Sequence, residues 1–519
     1  MFNKTTIRLL SVLFVALLSL THGFSQSQNN QADFEIKAFH VDLRCQVMTM
    51  DALKDLANRL SKIGINTIIM EWEATFPYEK HATLSNRYAY TRSEVISFIE
   101  YCSRLGIDVI PLQNCFGHVE YILRHDRYAA LREDSKDMSQ VCPTRENLNK
   151  EIFKELFEEM AKLHPSKYLH IGGDETRLLG VCKKCSAKVE TEGKSKLFVD
   201  YVKIMCDIAK SLGKTPILWA DIILKYPEAA EQLPKDAIFV DWNYGWKNDR
   251  FGDTENLLKH GFEFWGAPAL RSGPDNLYIT QWNKHFDNIS TFIPACREAG
   301  YKGIVMTSWS TSGQYGYKYD IGWEVITMYP IRYVYPLSGF NILIAAYGQA
   351  LNNHVPLDSY QFIVDYAQNQ FGLTADESRV FYNILFAPQN TVRYGRDSDK
   401  KSILDLKNEA FELQNIIQAL RPKSNKKEFE HFRLMFDLRL QYLTFKEIET
   451  RYQSADFDSK NAKGLLKELD ELHALVKKND KQFIKLNSNY LSKKELIELN
   501  QERNEKFYNL LDAVRKISD

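Results

Sequence analysis

The chain has 519 residues, of which 44% are hydrophobic and 13% aromatic, enough to bury a large core in two or three domains. Lysine plus arginine and aspartate plus glutamate each number 67, so the formal net charge is zero. This balance provides no basic excess that would attract nucleic acid or an anionic membrane surface. Composition therefore indicates a globular, soluble protein and excludes neither enzymes nor binding proteins.

The N-terminus is typical of a secretory signal peptide. Lys4 and Arg8 precede an apolar run at 9–18, and small and polar residues follow that run. The apolar run is too short to span a bilayer comfortably, so we expect no membrane span here. We predict a signal peptide over residues 1–25 and export of the mature protein, as a periplasmic or secreted protein.

Short strand-like runs alternate with helical stretches through the first part of the chain. Eight candidate strands lie at 34–43, 67–72, 108–112, 168–171, 216–219, 237–242, 262–265 and 303–308. Eight strand–helix units in roughly 300 residues are what a (β/α)8 barrel requires. An open doubly wound sheet is the alternative, but it would seldom need eight such units with polar residues at most strand ends. We therefore predict an α/β fold, a (β/α)8 TIM barrel over residues 34–348.

The sequence pattern changes after about residue 348. Residues 356–395 have a helical pattern with an aromatic face, and four further helices are predicted at 402–420, 425–452, 459–478 and 492–517. Their apolar positions form buried stripes without a heptad register that persists through the loops, which favours a helical domain over a coiled coil. We predict an all-α C-terminal domain over residues 356–519, which could serve homodimerisation, substrate shaping or stability.

One heptapeptide carries the clearest chemical signal. Residues 170–176 read His-Ile-Gly-Gly-Asp-Glu-Thr at the end of the fourth predicted strand. Neighbouring side chains of a regular strand point to opposite faces, but the two glycines permit a bulge that turns Asp174 and Glu175 toward one pocket. A close carboxylate pair raises one of the two pKa values, as a general acid near neutral pH requires. The alternative is a surface Asp-Glu pair in a turn.

Polar and aromatic residues also follow the other predicted strands, and in a barrel these strand ends meet at one mouth. Aromatic faces stack on the C–H surface of a sugar, while carboxylates and arginine bind its hydroxyl groups. Taken singly, each such residue is weak evidence for a sugar site. A lone histidine is more often structural, and an arginine after a strand is often a surface ion-pair partner. The candidate binding residues are Arg44, Glu73, His118, Trp219, Asp221, Tyr244 and Trp309.

Together these motifs resemble the signature of the family 20 glycoside hydrolases, the β-N-acetylhexosaminidases. The resemblance covers about residues 35–345, and it includes the Phe-Gly-His segment at 116–118 and the tryptophans Trp219 and Trp309. The segment 71–78 and the helical C-terminal region resemble the hexosaminidase D-type branch. That branch lacks the small α+β domain that usually precedes the barrel.

The resemblance implies an exo-acting β-N-acetylhexosaminidase that removes terminal N-acetylglucosamine or N-acetylgalactosamine from glycans. In that family the substrate's own 2-acetamido oxygen attacks the anomeric carbon, so neither a cofactor nor an enzymic nucleophile is required. Glu175 would act as general acid and then as general base, while Asp174 would orient the acetamido group. His118, supported by Glu73, would balance the charge around the carboxylate pair.

The same resemblance assigns the sugar pocket. Trp219 and Trp309 would wall the N-acetyl group, and Tyr244 would donate to the acetamido oxygen. The sequence departs from the family at Ser310, where most members have a glutamate that grips sugar hydroxyl groups. This departure leaves open the preference between gluco, galacto and sulfated sugars.

Two other functions fit the same residues. A catalytically silent barrel that binds glycans is one, since barrels often host binding proteins. An intact Asp174 and Glu175 argue against it, because a binder needs no proton donor. The other is a barrel glycosidase with two enzymic carboxylates, Glu175 together with Glu73 or Asp221.

The chain has eight cysteines, too few for a disulfide scaffold of this length. Cys182 and Cys185 stand in a Cys-x2-Cys motif, a spacing at which two thiols can share a metal or form a disulfide. A structural zinc site would need two more ligands, and Cys142 and His164 are the nearest candidates. A structural zinc ion, a disulfide and free thiols therefore all remain open.

Overall fold

The computed structural model describes residues 33–272, 275, 280–310, 334–389, 392 and 401–518, with the backbone of a hairpin at 315–319 and 326–330. The predicted signal peptide lies outside these described residues, and so its prediction is untested. From Phe34 onward the chain clusters as one compact unit. Each helix of the described part is too short or too polar to cross a bilayer.

Eight parallel strands form the barrel, and each lies where the sequence predicts a strand; a short ninth strand, Ala269–Arg271, pairs with the last of them. They are β1 (Ile36–Asp42), β2 (Thr67–Glu71), β3 (Asp108–Pro111), β4 (Tyr168–His170), β5 (Thr215–Trp219), β6 (Ile238–Trp242), β7 (Glu263–Ala267) and β8 (Gly303–Ser308). Neighbours in the sheet follow the order β3-β2-β1-β8-β7-β6-β5-β4. A bridge between Leu112 and His170 joins the two outer strands, so the sheet is a nearly closed barrel and not an open one.

Apolar side chains fill the inside of this barrel. Because alternate residues of a strand face the same side, every second residue of each strand points inward and the barrel becomes a packed core instead of a channel. The interior cluster consists of Ala38, Ile69, Ile110, Leu112, Ile217, Trp219, Ile238, Val240, Trp265, Ala267 and Val305. Trp219, the last residue of β5, lies at the carboxyl end of this core and borders the mouth of the barrel.

Helices surround the barrel and make up most of the C-terminal region. Those associated with the barrel are α1 (Met50–Lys62), α2 (Arg92–Arg104), α3 (Glu120–Leu123), α4 (Glu146–Leu163), α5 (Lys183–Ser211), α6 (Asp221–Lys225), α7 (Glu255–Lys259) and α8 (Trp282–Glu298). Those that follow it are α9 (Asn341–Asn352), α10 (Ser359–Phe371), α11 (Ala375–Phe386), α12 (Ile403–Ala419), α13 (Lys426–Tyr452), α14 (Ala462–Asn487) and α15 (Lys493–Ser518).

The four C-terminal helices lie where the sequence predicts them, with one difference in length. Helix α14 continues to Asn487, whereas the sequence pattern predicts an end at residue 478. Its buried stripe continues through Phe483 and Leu486, and this packing keeps the last turns helical. The boundary near residue 348 between barrel and helical domain stays a prediction.

Candidate active site

The loop after β4 breaks the strand as the two glycines predict. Gly172 and Gly173 have φ values of 72° and 95°, in the left-handed region that favours glycine. A Cβ atom at Gly172 would lie 2.3 Å from Oδ1 of Asn114, so a larger residue would not fit there. Glu175 also has a positive φ, 47°. The alternation of the strand is thereby lost, and Asp174 and Glu175 face the same histidine.

That histidine is His118, which comes from the loop after β3. Its Nε2 atom lies 3.2 Å from Oδ2 of Asp174 and 3.4 Å from Oε2 of Glu175. The preceding residue, Gly117, allows this contact, because a Cβ atom there would lie 2.4 Å from the carbonyl oxygen of Asp174. The two loops therefore approach each other backbone to backbone, and the structure brings the three predicted residues together.

The charges of this group hold its proton on the histidine. Burial opposes the charged imidazolium, but the carboxylates of Asp174 and Glu175 outweigh burial and raise the pKa of His118 well above its usual value. Burial would also raise the pKa of Glu175, but His118 and Arg177 outweigh it and lower that pKa to about 2. Arg177 contributes an ion pair of 2.7 Å between its Nη2 and Oε1 of Glu175. The sequence expectation of a raised general-acid pKa is therefore not met in the free site.

Asp221, which follows β5, has a raised pKa. Burial, together with the charge of Asp174, raises the pKa of Asp221 to about 7. Its Oδ2 accepts a hydrogen bond of 3.2 Å from the backbone N–H of Glu175, so it helps to hold the loop that carries Glu175. Among the described residues, the buried Oδ1 of Asp174 has no hydrogen-bond partner. That oxygen can accept a hydrogen bond from a ligand, and a buried acceptor left without one is costly.

The predicted aromatic residues also come together. The Trp219 and Trp309 rings lie 5.7 Å apart, inclined at 52°. The indole Nε1 of Trp309 donates a hydrogen bond of 2.8 Å to the Tyr244 hydroxyl. Burial raises the pKa of Tyr244 well above its usual value, and the charges of Asp174 and Glu175 add to this effect. The Tyr244 hydroxyl therefore contacts Trp309 and lies within reach of the carboxylates' charge.

Arg44 is held by its own strand end. Its Nε and Nη2 donate to the two carboxylate oxygens of Asp42, each over 3.1 Å, and its guanidinium lies 5.3 Å from the ring centre of Trp309. Ser310 joins the same arrangement, because its backbone N–H donates to Asp42 and its hydroxyl accepts from the N–H of Cys45. The position where the family usually has a glutamate thus ties β8 to β1.

Glu73 is buried beside this arginine, in a short 3-10 turn after β2. Burial raises its pKa well above the usual value, although the charge of Arg44 opposes that shift. The further carboxyl group whose charge raises the pKa of His118 is that of Glu120, two residues along the chain from the histidine. Burial raises the pKa of Glu120 itself to about 7. Support of His118 by Glu73, as expected from the resemblance, stays a prediction.

A separate cluster of possible metal ligands lies in the loops after β3 and β4. It consists of Cys142, Cys182, Cys185 and Glu133. All eight cysteines of the chain are free thiols. His164 is not part of the cluster, because its Nε2 accepts a hydrogen bond of 3.0 Å from the indole N–H of Trp72. The cluster thus contains the three cysteines that the sequence analysis names as candidate ligands. Its fourth member is Glu133, in place of the candidate His164.

Sequence reasoning did not find three of the residues that act here, namely Arg177, Glu120 and Glu133. Arg177 lies two residues after Glu175, a spacing from which an ion pair could have been proposed. Glu120 follows His118 at the same short spacing. No sequence motif indicates Glu133 as a ligand. Its nearest cluster ligand in the sequence, Cys142, is nine residues away, and the Cys-x2-Cys motif is about fifty residues away.

Comparison with known proteins identifies a family for the barrel. Residues 57–310 match the pattern described as "Glycosyl hydrolase family 20, catalytic domain". Hexosaminidase D of Bos taurus is 27% identical over 294 residues, which are 53% of this chain and 84% of the relative. Hexosaminidase D of Homo sapiens is 27% identical over 300 residues, and the match covers 54% of this chain and 61% of the human protein.

Among solved structures, a beta-N-acetylhexosaminidase from Bacteroides fragilis NCTC 9343 is similar with a TM-score of 0.48 and 17% identity, over 63% of this chain and 67% of that one. The matched region of the sequence begins within α1 and ends at Ser310, so it contains each of the strand ends after β1 described above. Residues 57–310 of this chain are therefore a glycosyl hydrolase family 20 catalytic domain.

Proposed function

We propose that this chain is an exported, exo-acting β-N-acetylhexosaminidase that removes terminal, non-reducing N-acetylglucosamine or N-acetylgalactosamine from glycans. The observation that carries the proposal is the buried Oδ1 of Asp174, which lacks a hydrogen-bond partner among the described residues and sits next to Glu175. An acetamido N–H would satisfy that oxygen. Export rests on the sequence pattern of residues 1–25.

The substrate supplies the nucleophile in this reaction. Its 2-acetamido oxygen attacks the anomeric carbon, the bond to the leaving oxygen breaks, and an oxazolinium-like intermediate forms. Asp174 accepts a hydrogen bond from the acetamido N–H and stabilises the positive charge that develops on that group. Burial strengthens this electrostatic interaction. Water then opens the intermediate from the same face, so the configuration is retained and no cofactor is needed.

Glu175 moves the proton, and His118 stores it in the free enzyme. The raised pKa of His118 and the lowered pKa of Glu175 leave the proton on the imidazole, 3.4 Å from Oε2 of Glu175. When a glycan excludes water, the charged pair loses solvation and the neutral pair is favoured, which transfers the proton to Glu175. Glu175 then protonates the leaving oxygen and later deprotonates the attacking water.

The aromatic residues shape the acetamido pocket. Trp219 and Trp309 offer two inclined ring faces for the methyl group, and the Tyr244 hydroxyl, which is bonded to Trp309, donates to the acetamido oxygen. That donor orients the oxygen toward the anomeric carbon. Orientation of this kind is worth several kcal/mol in an intramolecular attack.

One experiment separates this proposal from its alternatives. An aryl β-N-acetylglucosaminide and the matching aryl β-glucoside are assayed with the wild type, Glu175→Gln, Asp174→Asn and the exposed control Glu298→Gln. We expect cleavage of the N-acetyl substrate alone, a loss of about 10²–10⁴-fold in kcat/KM for the two site variants, and an unchanged control. Equal cleavage of the plain glucoside would support two enzymic carboxylates instead.

The silent binder makes a different prediction. A glycan-binding barrel would hold N-acetylglucosamine measurably in calorimetry but cleave neither substrate. The proposed enzyme should also be inhibited competitively by an N-acetylglucosamine-derived thiazoline, which mimics the cyclic intermediate, and far more tightly than by N-acetylglucosamine itself.

A further inference from the structure

Three thiols and one carboxylate meet outside the sugar pocket. The Sγ atom of Cys142 lies 3.5 Å from Sγ of Cys182 and 3.6 Å from Sγ of Cys185. The Oε2 atom of Glu133 lies 3.2 Å from Sγ of Cys185. One ligand atom from each of the four residues lies within 4.8 Å of every other, and we call this group the thiol cluster.

These distances fit a tetrahedral metal better than a disulfide. With zinc–sulfur bonds of about 2.3 Å, the edges of a tetrahedron between sulfur atoms are about 3.8 Å long, and an edge to a carboxylate oxygen is somewhat shorter. A disulfide would need about 2.0 Å between two sulfur atoms and would leave the third thiol unpaired. The spacing around Cys142 thus lies near that of a tetrahedral edge to both other thiols at once.

We propose that the thiol cluster binds one structural Zn²⁺ ion through its three thiolates and the Glu133 carboxylate. Thiolates are soft ligands that select zinc among the common divalent ions, and four protein ligands leave no open position for a substrate. The ion is therefore structural, and it does not bind the substrate.

The surroundings orient the four ligands. The other oxygen of Glu133 accepts a hydrogen bond of 2.8 Å from the backbone N–H of Cys182, which points Oε2 at the cluster. The N–H of Cys185 donates to Sγ of Cys182 over 3.4 Å. Both cysteines lie at the N-terminus of α5, where the helix dipole favours thiolates. Metal ligands are usually held by such outer contacts.

The ion would join the two loops that carry the reaction. Glu133 lies in a hairpin, Arg132–Asp134 and Asp137–Val141, and Cys142 directly follows it. The second strand of the hairpin pairs with the backbone at Gly117, next to His118. Cys182 and Cys185 lie where the other loop, which carries Asp174 and Glu175, enters α5. The ion thus ties the position of His118 to the position of Glu175.

The first test measures metal content without any assay of activity. The full chain is purified without chelator, and its metal is measured by inductively coupled plasma mass spectrometry before and after incubation with Zn²⁺. We expect one zinc per chain, and a cobalt-substituted sample should show thiolate-to-metal charge transfer and the visible bands of tetrahedral Co²⁺. Failure to bind either metal, or a disulfide between cluster cysteines in the mass spectrum, would overturn the proposal.

Variants show whether the cluster is the site. Cys182→Ser removes a thiolate but keeps a favoured helix N-cap, so we expect a folded protein whose Zn²⁺ affinity falls by at least about tenfold. Glu133→Gln should also bind less tightly, whereas Cys102→Ala, at a buried thiol of α2, should keep its zinc. Unchanged zinc content in Cys182→Ser would contradict the assignment.

A separate experiment tests whether the zinc ion positions the loops that carry His118 and Glu175. Removal of zinc by a chelator should lower Tm and reduce kcat for the aryl N-acetyl substrate, and added Zn²⁺ should restore both in the wild type but not in Cys182→Ser. Full activity of a verified zinc-free protein would refute the positioning role. Because zinc content is measured independently, failure here is distinguishable from failure of the proposed enzymatic function.

Discussion

The imidazole of His118 lies 3.2 Å from the carboxylate of Asp174, although the two residues belong to loops after different strands. Asp174 is buried, and an isolated buried carboxylate is strongly unfavourable. The loop after β3 therefore supplies the cation that the loop after β4 requires. The charge state of the site is a property of both loops together.

Replacement of this histidine tests that relationship. His118→Gln removes the cation, so the pKa of Glu175 should rise, because one of the two groups that lower it is gone. We expect kcat to fall by about 10²-fold and the alkaline limb of the kcat/KM pH profile to move to lower pH, because the carboxyl of Glu175 must then hold the proton that the His118 imidazole stores in the wild type. The exposed histidine variant His260→Gln should keep the wild-type profile. An identical profile in both variants would contradict the proposed role of His118.

The close approach of the two loops predicts a steric effect at Gly117. A methyl group there would lie 2.4 Å from the carbonyl oxygen of Asp174, so one loop must move. We expect Gly117→Ala to lower the free energy of unfolding by about 1–3 kcal/mol and to lower kcat. Denaturant unfolding and the aryl N-acetyl substrate measure the two effects.

Gly464→Ala is the matched control for this substitution. Gly464 lies within α14, and a Cβ atom there would meet nothing within 4 Å. Alanine is the better helix former, so this variant should be more stable by up to about 1 kcal/mol with unchanged activity. If both glycine variants behaved alike, the contact between Gly117 and Asp174 would not be limiting.

The raised pKa of Asp221 predicts a pH dependence of stability. Burial and the charge of Asp174 raise this pKa from 3.8 to about 7, so the folded protein binds a proton that the unfolded chain releases. The contribution is fully present below the unfolded pKa and is lost as the pH rises through about 7. Asp221→Asn keeps an acceptor for the Glu175 N–H and cannot ionise.

We therefore expect the Tm of Asp221→Asn to exceed that of the wild type above neutral pH, and the difference to shrink toward about pH 4. Thermal unfolding over this pH range measures it. The exposed variant Asp456→Asn should follow the wild type throughout. A constant Tm difference at every pH would mean that Asp221 does not titrate in this range.

The hydroxyl of Tyr244 has a structural and a proposed catalytic partner, and one substitution addresses both. Tyr244→Phe takes away the acceptor of the Trp309 indole N–H, which should lower the free energy of unfolding by about 1–3 kcal/mol. It also removes the proposed donor to the acetamido oxygen, so kcat should fall by about tenfold or more. The exposed Tyr360→Phe is the control. Loss of stability with full kcat would leave Tyr244 a structural residue only.

Local patterns were sufficient for the eight strands and for the strand-end position of the site. Each strand is a short apolar run, and the chain reverses at glycines such as Gly106 and Gly213, both with positive φ. The break at Gly172 and Gly173 was equally readable, because it depends on the conformational freedom of those two residues. Such features depend on neighbours in the sequence, and a single sequence contains them.

The directions of the pKa shifts at the site could be assigned only from the folded structure. Two adjacent acids indicate that one pKa rises, but raised pKa values are found at Asp221, Glu120 and Glu73, while the pKa of Glu175 is lowered by His118 and Arg177. Charge interactions act over a few ångströms in space, whatever the separation along the chain. The direction of each pKa shift therefore could not be predicted from residues 170–176 alone.

The sequence by itself determined the barrel, the two carboxylates at the end of β4 and the family to which the catalytic domain belongs. Only the tertiary structure decided which cation faces Asp174, which oxygen of that carboxylate lacks a partner, and that Glu133 joins three thiols from two loops. The reason is physical: strand patterns and glycine breaks are set by local conformation, whereas charge pairing and ligand clusters depend on which loops the closed barrel brings together.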